Sequence, residues 1–70
     1  MKYLIIIEHG EKNYSAYVPD LPGCIAAGKT RVETMDLIKE AMIEHIQLIK
    51  QSGEKIPLPH TESALLEIAI

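Results

Sequence analysis

Residues 30–52 read TRVETMDLIKEAMIEHIQLIKQS and lie in the longest stretch of the 70-residue chain that has no glycine or proline. Apolar side chains recur there every three or four residues, which predicts one packed face of a helix. Thr30 and Glu33 have the spacing of a capping box, and Gly53 suits a left-handed C-cap. Such a helix would be about 33 Å long, as long as a small domain is wide. We therefore expect short strands to cover its apolar stripe, which consists of Met35, Ile38, Met42, Ile46 and Ile49.

Length and composition restrict the class of protein. A chain of 70 residues with a net charge of −3 and a single cysteine predicts one domain, residues 1–70, without an internal disulfide. A domain this small buries only about 60% of its extended surface, so self-association would add stability. The absence of a basic cluster argues against direct binding to nucleic acid. We find no signal-peptide pattern and no run of about 20 apolar residues, so we expect a cytoplasmic protein.

Four short strands are predicted around the helix. Pro22 and Gly23 favour a type II turn between the second and third strands, and Asp20 is expected to hydrogen-bond within its own turn. The first strand is apolar on both faces, which is typical of a strand in the interior of a sheet. The predicted strands are residues 3–7 (YLIII), 14–18 (YSAYV), 24–27 (CIAA) and 65–70 (LLEIAI).

The element order is therefore β-β-β-α-β, an α+β fold with one long helix on one face of the sheet. Three strands form an antiparallel meander, and a right-handed crossover pairs the fourth strand with the first in parallel, in the order 3-2-1-4. The outer sheet face would carry an apolar patch that is large for a monomer. We interpret this patch as the interface of a homodimer or higher homo-oligomer, with a sparsely covered monomer as the alternative. The interface candidates are Leu4, Ile6, Tyr17 and Leu65.

Residues 14–30, YSAYVPDLPGCIAAGKT, resemble the signature of the HicB-like antitoxin family, and residues 53–59, GEKIPLP, resemble the loop before that family's last strand. The resemblance covers nearly the whole chain. It implies a partial, degenerate RNase H-like fold and a protein that neutralises a small basic RNA-cleaving toxin, HicA, by binding it. Many members add a C-terminal DNA-binding segment. This chain ends at Ile70 without one, so we expect no direct nucleic-acid binding by this chain alone.

Catalysis by this chain has little support. A nuclease of RNase H-like fold would hold two metal ions with several carboxylates, yet residues 4–7 in the first strand carry none. His9, His45, His60 and Cys24 lack the spacing of metal ligands. We therefore expect no catalytic, cofactor-binding or metal-binding residues, and a divergent metal-dependent nuclease is the least favoured alternative.

Acidic residues form a second stripe on the predicted helix. Like charges three or four residues apart destabilise a helix by a few tenths of a kcal/mol each, so a function would help to explain them. The ordinary interpretation is a solvated helix face. A basic toxin would be the natural complement of this stripe, and an orphan self-associating domain is the alternative. The toxin-binding candidates are Glu33, Asp36, Glu40 and Glu44.

Overall fold

The computed structural model describes residues 1–70 and contains three strands and one helix. The strands are β1 (Ile6–His9), β2 (Tyr14–Tyr17) and β3 (Ile25–Gly28), and the helix is α1 (Arg31–Ser52). The sheet is antiparallel throughout, in the order β1-β2-β3. The predicted meander and the predicted helix are thus confirmed, and β1 begins three residues later than the sequence pattern indicated.

Both ends of α1 carry the predicted caps. The Glu33 amide donates to the Thr30 hydroxyl at 3.1 Å. Glu33 returns no hydrogen bond to the Thr30 amide, so only one half of the capping box forms. At the other end Gly53 has a φ of 78° and donates its amide to the Lys50 carbonyl at 3.2 Å. These bonds satisfy groups that a helix leaves unpaired at its ends.

Two consecutive turns connect β2 to β3. The Leu21 amide donates to the Val18 carbonyl at 3.0 Å, and the Cys24 amide donates to the Leu21 carbonyl at 3.1 Å. Gly23 has a φ of 85°, which confirms the predicted type II turn. The Val18 amide also donates to the Cys24 carbonyl at 3.2 Å and closes the loop. These bonds hold the connection against the domain, and the side chains of Val18, Leu21 and Cys24 are part of the core.

The core lies between the sheet and the first half of α1. Only seven residues are buried, which makes this a small core for a whole domain. The pairing register places Ile7, Ala16 and Ala26 side by side on the face that packs against the helix. The five buried apolar residues are Ala16, Val18, Leu21, Cys24 and Ile38.

The predicted fourth strand does not form within the chain. Residues 54–70 contain no strand and make no backbone-to-backbone hydrogen bond. The apolar pattern of residues 65–70 gives this segment strand propensity. A strand also needs the edge of another strand to pair with, and this segment extends away from the domain without reaching one. Leu65 is 102% exposed and Ile70 is 120% exposed, as expected for side chains without neighbours.

Candidate functional site

The acidic stripe on α1 lies on the solvent side of the helix. Glu33, Asp36, Glu40 and Glu44 are all exposed. Glu40 is two residues from the buried Ile38, which places it about 200° around the helix from the packed face. The sequence prediction that these four side chains share one accessible surface is therefore consistent with the structure.

No lysine or arginine forms an ion pair with this stripe. The sole ion pair of the structure joins His60 to Asp20, far along the sequence from the acidic stripe. No lysine or arginine nitrogen lies within 4.0 Å of any carboxylate oxygen of the stripe. The solvent side of α1 is therefore a negatively charged surface that can attract a basic partner.

The outer face of the sheet carries an apolar groove. The register aligns Ile6, Tyr17 and Ile25 across the three strands. Tyr17 is 40% exposed and Ile25 is 70% exposed. Tyr17 and Ile25, together with Ser15 and Ala27, border an open groove of about 340 Å³. Sequence reasoning missed Ile25, although the alternation of side chains in strand three was the signal that could have found it.

Two of the four oligomer-interface candidates, Ile6 and Tyr17, are paired across the sheet, whereas Leu65 does not join them. Leu4 and Ile6 are half-buried and Tyr17 is exposed, as expected for the outer face near the sheet edge. Leu65 was assigned to the same face as part of a fourth strand, and this assignment is wrong for the single chain because the strand is absent. Leu65 instead lies in the exposed C-terminal segment.

Asp20 is the most constrained polar residue of the domain. Its carboxylate is 3% exposed and accepts the amides of His60 at 2.9 Å and Thr61 at 3.0 Å. The Thr61 hydroxyl donates to its other oxygen at 2.5 Å, and the His60 Nδ1 lies 3.2 Å from that same oxygen. The prediction that Asp20 bonds within its own turn is wrong, because its oxygens are occupied by residues 40 and 41 positions away.

These bonds shift the pKa of the Asp20 carboxyl. The two hydrogen bonds from Thr61, and to a smaller extent the backbone hydrogen bond and the electrostatic attraction of His60, lower this pKa to about 2, against an opposing effect of burial. A lowered pKa in the folded state means that ionised Asp20 favours folding. This stabilisation is present above the unfolded-state pKa of about 3.9 and is lost as the pH falls towards the folded-state pKa of about 2.

We expect Asp20→Asn to lower the melting temperature at pH 7, since the amide cannot accept all the bonds that the carboxylate accepts. Between pH 5 and pH 2 the wild-type melting temperature should fall more than that of the variant, and the two should converge. Thermal denaturation followed by circular dichroism measures this, with the exposed Asp36→Asn as the matched control. A gap between Asp20→Asn and wild type that is as large at pH 2 as at pH 7 would contradict the role of the charge.

The structure also defines the surroundings of the cysteine and of a second histidine. Cys24 is buried, and burial raises the pKa of its thiol, which disfavours the reactive thiolate. His9 stacks on Tyr14 with ring centroids 4.1 Å apart. No three His, Cys, Asp or Glu side chains are grouped in a way that could hold a metal ion. The helix is too polar to cross a membrane. What the surface offers is a charged helix face and an apolar sheet face.

The fold defines a class of small α+β domain, and a solved structure contains a similar domain. A chain in a HicA3 and HicB3 toxin–antitoxin complex superposes with a TM-score of 0.71 at 30% identity, covering 86% of this chain and 70% of that chain. Residues 3–67 match the family described as the HicB-like antitoxin of bacterial toxin–antitoxin systems. The chain belongs to this family.

Two kinds of relative are similar to this chain. A UPF0150 protein of Thermoplasma acidophilum is 44% identical over 63 residues, which are 89% of this chain and 91% of that protein. Antitoxin HicB 1 of Photorhabdus laumondii is 33% identical over 60 residues, and antitoxin HicB 2 of the same organism is 28% identical over 69 residues. The alignments cover 84% and 97% of this chain, but only 39% and 50% of those antitoxins. The chain therefore spans half or less of the length of these named antitoxins.

Proposed function

We propose that this protein is an antitoxin that binds a HicA-like, RNA-cleaving toxin and neutralises it by covering its active surface. Membership of the HicB-like family and the likeness to a chain of a toxin–antitoxin complex support this proposal. The observation that carries it is the acidic side of α1, whose exposed carboxylates form no ion pair. A basic toxin would meet there the carboxylates of Glu33, Asp36, Glu40 and Glu44.

Inhibition in this proposal is steric and electrostatic. Charge complementarity accelerates encounter and orients the partners, and it is screened over about 8 Å at physiological ionic strength. This chain contributes binding and no chemistry. The proposed scaffold is a degenerate RNase H-like sheet, of which this chain supplies three strands. The free thiol of Cys24 suits a reducing compartment and supports action in the cytoplasm, where RNA is the toxin's target.

Reversing two charges of the stripe tests the proposal. We expect Glu40→Lys with Glu44→Lys to weaken binding to a HicA-like toxin about tenfold or more at 0.15 M salt, mainly through slower association. The loss should shrink as salt is raised. Surface plasmon resonance measures both rates. The control is Glu11→Lys with Glu54→Lys, which changes the net charge equally at exposed positions outside the stripe.

An equal loss of affinity in the two double variants would show that only the net charge matters. Unchanged affinity in the Glu40→Lys and Glu44→Lys variant would show that the stripe is an ordinary solvated helix face. Circular dichroism should show the same helix content in all the proteins, because the four substituted side chains are exposed. A wild-type chain that does not bind the toxin at all would favour the orphan self-associating domain.

A further inference from the structure

We propose that residues 63–70 are exchanged between two copies of this chain, so that each copy supplies the fourth strand of its partner's sheet at the free edge of β1. The interaction surface is thus the C-terminal segment of one copy and the edge strand of the other. This inference does not depend on toxin binding, because it rests on surfaces that the acidic stripe does not include.

The C-terminal segment has the character of a strand without a partner. Its sequence SALLEIAI is mostly apolar and is uninterrupted by glycine or proline. Leu66 is 87% exposed and Ile68 is 75% exposed, in addition to the two fully exposed residues, Leu65 and Ile70. None of its amides or carbonyls takes part in a backbone hydrogen bond. Pairing would remove these apolar side chains from water, so a partner for this segment would be favoured.

The shape of the single chain agrees with residues 63–70 forming an arm that extends away from the domain. The radius of gyration is 14.0 Å and the longest dimension is 49 Å. A compact domain of this length would have a radius of gyration of about 11 Å. The excess length therefore indicates that part of the chain lies outside the globular body.

The arm is attached firmly at its base. The Tyr3 hydroxyl donates to the Pro57 carbonyl at 2.6 Å, and Asp20 holds the amides of His60 and Thr61. Beyond Thr61 no hydrogen bond to the body is made. A fixed base followed by a free apolar strand is the arrangement that exchanges between identical protomers at low cost.

The free edge of β1 is the better of the two sheet edges for this strand. Residues 3–5 run directly into β1, are apolar and half-buried, and form no ladder, so their backbone groups extend the available edge. β3 offers mainly small side chains, and it runs into α1 after two residues. The helix backbone approaches β2 and β3 closely and does not approach β1, which lies at the edge of the sheet. A strand added beside β1 would therefore pair its backbone and extend the apolar sheet where it is least covered.

A proline substitution separates backbone pairing from simple apolar contact. We expect the wild-type chain to be a dimer at 100 μM, about a hundredfold above a micromolar dissociation constant. Ile68→Pro removes an amide donor from each exchanged strand and should raise the dissociation constant at least about tenfold. Ile68→Val retains the donor and the strand propensity and should remain dimeric.

Leu66→Asp is a second disrupting variant, and Leu48→Asp, at an exposed helix position, is its matched control. Sedimentation velocity measures the distribution.

The site of docking is tested in the full chain by mixing two forms. One form carries a nitroxide at Ser63→Cys in a Cys24→Ser background, and the other is ¹⁵N-labelled and unmodified. We expect the strongest line broadening at the amides of residues 3–7 in the labelled copy. A wild-type monomer at 100 μM, an Ile68→Pro dimer of unchanged affinity, or broadening centred on Tyr17 and Ile25 or on the C-terminal segment itself would each overturn the proposal. Broadening at Tyr17 and Ile25 would indicate that two sheets pack face to face. Broadening at the C-terminal segment would indicate that the two C-terminal segments pair with each other.

Discussion

Ile38→Ala is expected to lower the free energy of unfolding by about 2–5 kcal/mol, because it removes three carbons from a fully buried side chain and leaves a cavity. Ile38 is the helix residue at the centre of the core cluster formed with Ala16, Val18, Leu21 and Cys24. A domain of this length has a total stability of roughly 4–10 kcal/mol. The variant should therefore be partly unfolded at 37 °C, as chemical denaturation followed by circular dichroism can measure.

The control for this prediction is Ile43→Ala, on the same helix. Ile43 is 50% exposed, so its truncation removes less buried surface and should lower the unfolding free energy by less than about 1 kcal/mol. Both measurements are made at low micromolar concentration, since association would add stability to either variant. Equal losses in the two variants would contradict the assignment of Ile38 to the centre of the core.

Gly28→Ala is expected to lower the unfolding free energy by about 1–3 kcal/mol, the usual cost of overpacking. Alanine in a strand would otherwise be favoured over glycine by roughly 0.5–1 kcal/mol. At this position alanine is expected to destabilise the fold instead, because an added Cβ would lie 2.8 Å from the Thr34 hydroxyl oxygen and 3.1 Å from the Thr34 amide nitrogen. Thr34 cannot retreat freely, since it is fully buried and its hydroxyl donates to the Thr30 carbonyl at 2.8 Å.

A double-mutant cycle isolates this close approach. Thr34→Ala removes the hydroxyl that the new methyl group would meet. The double variant should therefore lose less stability than the sum of the single variants, by about 0.5 kcal/mol or more. Strict additivity in the cycle, or a Gly28→Ala variant that is more stable than wild type, would show that α1 can shift away from β3 without cost.

Local chemistry was sufficient for the elements whose partners lie nearby in the sequence. The Thr30 cap, the Gly53 cap and the Pro22–Gly23 turn each depend on atoms within four residues. All three form, although the capping box at Thr30 forms only in the half in which the hydroxyl accepts the Glu33 amide. Side-chain alternation likewise separated the inner and outer faces of the first two strands, as the pairing of Ile6 with Tyr17 and of Ile7 with Ala16 confirms. The family resemblance also came from residues adjacent in the chain, and residues 3–67 match that family.

Only the tertiary structure decided the features that depend on distant partners. The carboxylate of Asp20 can bond its own turn or any donor brought to it, and the fold brings His60 and Thr61 from 40 residues away. Ile25 joins the outer apolar groove because the β2–β3 register aligns it with Tyr17. The C-terminal segment has strand propensity, yet residues 65–70 pair with nothing in their own chain. Propensity is a property of a segment, whereas pairing requires an edge at the right distance, and that distance is set by how the whole chain packs.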